Sequence, residues 1–247
     1  MSRSVNKEPG GDVVWRAAAC YSRQVPGMEN HGATALVVMA RYPAVGEVKT
    51  RLARVIGADR ACDLYRAFLC DIETRFAAGR RTLVWAYDPP DRDFAALLAP
   101  GARCLAQEGA ALGARMRAVF RHLCASGFTR VLMFGADAPH VRDEWLDEAE
   151  AALDDADVAL GPSLDGGYYL IGMRSPHDVF SGIKMGTPGV FAATRHKAEA
   201  AGLRVHVLPE TFDVDEAPDL ERLRERLRDA DAAARLPATA ACLRAWR

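Results

Sequence analysis

The chain has no CxxC pair, no long apolar run, no excess of either charge and almost no lysine. Each shortage excludes something. The six cysteines, Cys20, Cys62, Cys70, Cys104, Cys124 and Cys242, are scattered. Their spacing suits neither a zinc site nor a disulfide framework and reads as reduced thiols. No stretch approaches the roughly 18 apolar residues of a membrane span, so no membrane span is expected and a cytoplasmic location is. The formal net charge of −1 supplies no global field that would draw the chain onto nucleic acid or anionic lipid. No HExxH occurs, and the histidines do not cluster; His140, beside Pro139, reads as a loop residue. A serine hydrolase would need GxSxG, but Gly161-Pro162-Ser163-Leu164 runs into Asp165. A phosphatase would carry its DxD after the first strand, whereas Asp213-Val214-Asp215 comes near the end.

Lysine occurs only at Lys7, Lys49, Lys184 and Lys197; every other basic residue is arginine. Arginine serves at most surface positions, so a lysine kept against this background is informative, and Lys49 returns below.

Half of the 247 residues are hydrophobic, enough for one sizeable domain. Residues 1–33 are polar and rich in Gly and Pro and are expected to be a disordered extension, or a start assigned upstream of Met28. From residue 34 a single domain to residue 247 is expected, built of alternating strands and helices. "TALVVMA" is a continuous apolar run, as in a strand buried on both faces. Further strands are expected at "TLVWAY", "RCLAQ", "RVLMFGA", "DVALGPS", "GYYLIGM" and "RVHVLP". Helices are expected at "ADRACDLYRAFLCDIETRFAAG", "RDFAALLA", "LGARMRAVFRHLCASG", "RDEWLDEAEAALDDA" and "APDLERLRERLRDADAAARL". Another begins at Thr187-Pro188, an N-cap followed by proline at the first helical position. Such alternation predicts an α/β fold with a mostly parallel sheet flanked by helices, whose chemistry lies in loops just past the strands' carboxyl ends.

Four loops could carry that chemistry. "ARYPAVGEVKTRLA", after the first strand, offers Arg41, Lys49, Thr50 and Arg51 around Gly46, a cationic turn suited to phosphates. It is neither a Walker loop nor GxGxxG, and a plain solvated basic turn is the alternative. In "QEGAALGARM", Gly109 and Gly113 would let backbone approach a ligand, and Gln107 could read a base or hydroxyl edge. In "VLMFGADAPH", Gly135 and Pro139 frame Asp137, a carboxylate at the sheet's carboxyl edge. Magnesium favours one or two carboxylates completed by phosphate oxygens and water; the alternative is a cap for the helix beginning near Arg142. Last, Asp165-Gly166-Gly167 forms a tight turn ahead of Tyr168. Asp213 and Asp215 share one face of an extended segment, where Asp215 could cap the following helix.

Taken together, "MARYPAVGEVKTRLA", "GAALGARM", "FGADAPHV", "LGPSLDGGYYLIGM" and "FDVDEAPDLERL" resemble the bacterial GT-A-type glycosyltransferase-like family. That family is often labelled selenodomain-associated transferase 1 and is catalogued as a domain of unknown function. It is similar in layout to sugar-nucleotide and phospholactate nucleotidyltransferases. The resemblance covers about residues 34–230 in order, with "KTRL" and "DGGYYLIG" its most specific parts. It implies a Rossmann-like nucleotide-diphosphate-sugar transferase fold with Mg²⁺ or Mn²⁺ on Asp137 and Asp215, Asp213 being the weaker second candidate. It also implies nucleotide phosphates on Lys49 and Arg51. Relatives usually carry Trp-Ser-Thr-Pro before the late helix, whereas this chain has Met185-Gly186-Thr187-Pro188.

The expected activity is therefore metal-dependent transfer from a nucleotide or nucleotide-sugar donor to a small acceptor. Asp137 and Asp165 are the expected catalytic residues. Arg41, Lys49, Thr50, Arg51, Gln107 and Gly113 are expected on the nucleotide, and Gly166, Gly167 and Tyr168 position the substrate. Glycosyl transfer is the first reading, nucleotidyl transfer with release of pyrophosphate the second, and a non-catalytic nucleotide-binding protein the third.

Overall fold

The computed structural model describes residues 33–246. The extension expected over residues 1–33 thus lies, Ala33 apart, outside the described residues. In chain order the strands are β1 (Thr34–Arg41), β2 (Thr82–Asp88), β3 (Arg103–Ala106), β4 (Arg130–Gly135), β5 (Val158–Pro162), β6 (Tyr168–Met173) and β7 (Val205–Val207). They form one sheet of seven in the order β3-β2-β1-β4-β6-β5-β7. β6 runs antiparallel to β4 and to β5, and every other pairing is parallel. The chain works outward from β1 through β2 to β3, then returns to lay β4 on the other side of β1. The gap between the carboxyl ends of β1 and β4 is therefore the switch point at which such sheets bind ligands.

Both faces of the sheet are covered, which is why β1 reads as an unbroken apolar run. Leu36, Val38 and Ala40 face one core, while Ala35 and Val37 face the other. The first core is shared with α1 (Thr50–Ile56), α2 (Ala58–Phe76), α4 (Asp143–Ala152) and α6 (Ala217–Arg226). The second is shared with α3 (Leu112–Ala125) and α5 (Val190–Ala200). Among the described residues no helix is long and apolar enough to cross a membrane.

Four local expectations need correction. The basic loop after β1 ends at Lys49, and "TRLARVI" is α1, drawn into helix by the buried Leu52. "RDFAALLA" shortens to a single 3₁₀ turn, Ala95–Leu97. Phe94, instead of extending a helical face, is fully buried and stacks on Tyr87 with ring centroids 5.5 Å apart. Thr187-Pro188 does not cap a helix. Thr187 Oγ1 donates to the Lys184 carbonyl at 3.0 Å, and α5 starts two residues later with Gly189 at its N-cap.

The closing helix breaks into α6, α7 (Ala230–Arg235) and a further helix, α8 (Pro237–Arg244). α8 is held from far away. Asp71 of α2 accepts hydrogen bonds from the backbone N–H groups of Ala238 and Thr239, both at 2.8 Å, and from Thr239 Oγ1 at 2.6 Å. The carboxylate thus satisfies donors at the start of α8 that no local side chain caps. Burial nevertheless raises the Asp71 pKa, the donors pulling the other way.

Candidate functional site at the β1–β4 switch point

Two loops leave the switch point. After β1, Gly46 turns the chain with φ +80, and Lys49 enters the left-handed region with φ 49 and ψ 39. Lys49 is the only non-glycine residue with positive φ among those described. Such a conformation costs on the order of 1–3 kcal/mol and persists where surrounding contacts impose it. Here the contacts lie at the end of the side chain. Its ammonium, 2% exposed, makes ion pairs with Asp137 and, at 3.0 Å, with Asp215. The rings of Tyr65 and Phe68 flank it with centroids 5.8 and 5.7 Å away. Burial alone would lower the lysine pKa, but the two carboxylates outweigh it and hold the pKa above its ordinary value.

After β4, the Ala136 N–H donates to the Met39 carbonyl, tying that loop to β1. The Val214 N–H donates to the Asp137 carbonyl at 2.9 Å, so the 213–215 segment is stitched to the same loop. Neither carboxylate is consumed as a helix cap. α4 has Arg142 at its N-cap, and α6 begins with a capping box made by Glu216 and Asp219. Asp137 and Asp215 are instead 43% and 41% exposed, so each shows one side to Lys49 and another to solvent.

Asp213 is half-buried beside that cluster and is engaged by a different partner. Its carboxylate accepts from Ser163 Oγ at 3.0 Å. Burial, and then the neighbouring Asp137 charge, push its pKa up to about 7, against the opposing pull of Ser163 and Lys49. Ser163 begins the turn holding Asp165, whose Oδ1 accepts from the Gly167 N–H at 2.9 Å. Gly166 has φ +85, and its carbonyl accepts from the Phe191 N–H at the start of α5.

The remaining candidates divide. Arg51 is exposed and 3.7 Å from Glu216, beside Asp215, and Thr50 is exposed in the first turn of α1. Arg41 ends β1 with its guanidinium in solvent, 3.8 Å from Asp88. Gln107 is buried, and its amide donates to the carbonyls of Ala86 at 2.8 Å and Ala40 at 3.3 Å. It joins the ends of β2 and β1 instead of presenting its NH₂ to a base. Gly113 is buried in α3, where an added Cβ would lie 3.2 Å from the Phe180 side chain, so the close approach there is to protein. The Tyr168 hydroxyl is 3.9 Å from Met116 Sδ, and burial raises the phenol pKa.

Tyr65, Phe68 and Ser163 complete the site without having been singled out for it in the sequence. Tyr65 and Phe68 read only as part of the apolar face of α2, although their i, i+3 spacing put them on one side of that helix. Ser163 carries no signal in the sequence beyond an incomplete GxSxG.

His140 is not a loop residue in solvent. It is buried, stacks on Phe212 with centroids 4.2 Å apart, and lies 3.3 Å from Thr211 Oγ1. Burial, reinforced by the Arg226 and Arg75 charges, lowers its pKa to about 3. The unfolded chain therefore takes up this proton near pH 6.5, well before the folded one does. The stability conferred by neutral His140 is complete above that pH and falls as the pH drops toward 3, by up to about 1.4 kcal/mol per unit. Asp213 titrates with the opposite sense over part of the same range, so the test is a difference. Urea unfolding of His140→Gln at pH 6.5 and 5 should show a smaller acid loss than wild type. Equal losses would remove His140 from the acid sensitivity.

This sheet, its switch point and the flanking helices define the GT-A-like fold of nucleotide-diphospho-sugar transferases and nucleotidyltransferases. The family model described as "Uncharacterized protein conserved in bacteria (DUF2064)" matches residues 72–187. A crystal structure of a proposed nucleotide-diphospho-sugar transferase from Desulfovibrio desulfuricans G20 is 36% identical with a TM-score of 0.76, covering 87% of this chain and 98% of that one. The chain belongs to this bacterial family. At the level of fold alone, it is similar to 4-diphosphocytidyl-2C-methyl-D-erythritol synthase from Anaerococcus prevotii DSM 20548, with 11% identity, a TM-score of 0.53, and 80% and 99% of the two chains covered. A cytidylyltransferase from Leptospira borgpetersenii serovar Hardjo-bovis (strain JB197) is alike to the same degree, with 11% identity, a TM-score of 0.51, and coverage of 80% and 87%. No match was found among curated proteins.

Proposed function

We propose that the protein is a divalent-metal-dependent transferase that moves a glycosyl group from a nucleotide-linked donor to a small acceptor. The observation that carries this reading is the convergence of the Asp137 and Asp215 carboxylates, from loops far apart in the chain, on the Lys49 ammonium at the switch point. The donor set suits Mg²⁺ or Mn²⁺. Both carboxylates are hard oxygen donors open to solvent. Water and phosphate oxygens would complete the shell, as magnesium prefers.

Asp137 and Asp215 would hold the ion from the protein side. When bound, it would neutralise charge on the donor phosphates and on the departing nucleoside diphosphate. Arg51 and Arg41, both exposed, would supply charge-assisted hydrogen bonds to phosphate, with the Thr50 hydroxyl beside them. Asp165, fixed by its turn with Gly166 and Gly167, would orient the acceptor hydroxyl and take its proton. The bond from the anomeric carbon to the donor phosphate oxygen breaks as the acceptor oxygen bonds to that carbon. Nucleotidyl transfer needs a cationic cradle for a triphosphate. The inward turn of Lys49 takes the central cation out of that cradle, and this favours glycosyl transfer.

A thermal-shift screen of nucleotide sugars, nucleoside diphosphates and triphosphates, with and without Mg²⁺, tests the reading. A donor at a hundredfold excess over its Kd should raise the Tm by about 5 °C or more, and only with metal present. Stabilisation by one nucleoside triphosphate alone would favour nucleotidyl transfer. Affinity with no turnover, unaffected by Asp137→Ala, would leave a binding protein. No nucleotide response at all would sink the proposal.

A further inference from the structure

The resemblance places Lys49 among the phosphate ligands, but its ammonium faces the wrong way for that. It is 2% exposed, walled by Tyr65 and Phe68, and lies on the buried side of the carboxylates that phosphate-bound metal would approach from solvent. Its backbone is left-handed and its side chain lies inward against the two carboxylates.

We propose that Lys49 is a built-in monovalent cation that sets Asp137 and Asp215 in register and holds down their affinity for free divalent metal, so that metal binds well only together with the donor's phosphates. The proposal rests on the assignment of Asp137 and Asp215 as metal ligands. Two carboxylates offer an arriving ion two negative charges, and the ammonium between them cancels one. Its own charge also repels a divalent ion on the far side of the same oxygens, across a short path through partly buried surroundings where screening is weak. The donor's diphosphate restores the missing negative charge from the solvent side. Lys49 is thus a positioning residue, and metal loading is coupled to donor loading.

A buried tertiary role and a phosphate-binding role make different predictions for Mn²⁺ alone. The loss of the free Mn²⁺ signal in electron paramagnetic resonance would measure binding to wild type, Lys49→Met, Lys49→Gln and Asp137→Asn, each with and without UDP and GDP. Lys49→Gln keeps a hydrogen-bond donor for the carboxylates without the charge. Without nucleotide, both Lys49 variants should bind Mn²⁺ about tenfold more tightly than wild type or better, and the enhancement by nucleotide should shrink. Unchanged or weaker Mn²⁺ binding by the folded variants would overturn the proposal.

Should both variants be unfolded, recovery of a melting transition on adding Mn²⁺ supports it, since metal then replaces the ammonium as counter-ion. Failure to recover overturns it. The underlying site assignment is judged separately. Nucleotide-enhanced Mn²⁺ binding by wild type that is lost in Asp137→Asn upholds it whatever Lys49 does. No Mn²⁺ binding by any form removes the site and the proposal together.

Discussion

Asp137→Asn is expected to lower turnover by about two to three orders of magnitude, the scale of losing a charge stabiliser aimed at the leaving group, while leaving the protein folded. The substitution is nearly isosteric and removes one unit of negative charge from a pair that must face a divalent ion. The backbone tie that fixes the loop survives, because the Val214 N–H bonds to the Asp137 carbonyl and not to its side chain. The asparagine oxygen can still accept from Lys49. The buried ammonium does lose half of its charge compensation, and breaking such a pair is destabilising. With the carboxylate 43% exposed, solvent softens that loss, and the Tm should fall by only a few degrees. Calorimetric titration with nucleoside diphosphate, with and without Mg²⁺, is the decisive measurement. Wild type should show metal-dependent affinity, and the variant should show the same weak affinity under both conditions. Equal, metal-enhanced affinity in the two proteins would take Asp137 out of the mechanism.

What could be read from the sequence follows from where the information lies. Strands buried on both faces advertise themselves, and all seven expected strands are present, each within a few residues of its expected limits. The antiparallel direction of β6 was not foreseen in the periodicity, because a six-residue apolar strand reads alike in either direction. α8 has no local capping signature because its cap comes from Asp71, in a helix distant in the chain. At the site, Asp137, Asp215 and Arg51 could be placed on one rim because the topology of an α/β sheet puts post-strand loops there. Side-chain direction carried no such signal. Lys49 pointing into a box of two aromatic rings and Gln107 bridging two strand ends are decided by tertiary neighbours. Both residue types would serve equally well facing solvent.

Gly166→Ala should be the most destabilising single change in the loops around the site, for reasons that separate space from backbone freedom. At φ +85 an alanine pays the left-handed penalty. Its Cβ would also lie 1.8 Å from the Pro188 carbonyl oxygen and 2.7 Å from the Pro188 Cα, both backbone atoms that no rotamer change can move aside. Relief requires moving the segment before α5, where the Phe191 N–H is pinned by the Gly166 carbonyl at 3.0 Å. Strain and overpacking together should cost about 3–5 kcal/mol, which lowers the Tm by about 10 °C in a chain of this size. Gly46→Ala is the control. Its φ of +80 is nearly the same, but no atom lies within 4 Å of the added Cβ, so it should cost only the backbone term of about 1 kcal/mol. Below its melting point, Gly166→Ala should still bind nucleoside diphosphate with metal, because Asp137 and Asp215 come from other loops. Transfer should fail, because the turn that presents Asp165 has moved. If Gly166→Ala melts within a degree of Gly46→Ala and transfers normally, the 165–167 turn neither constrains the fold nor positions the acceptor.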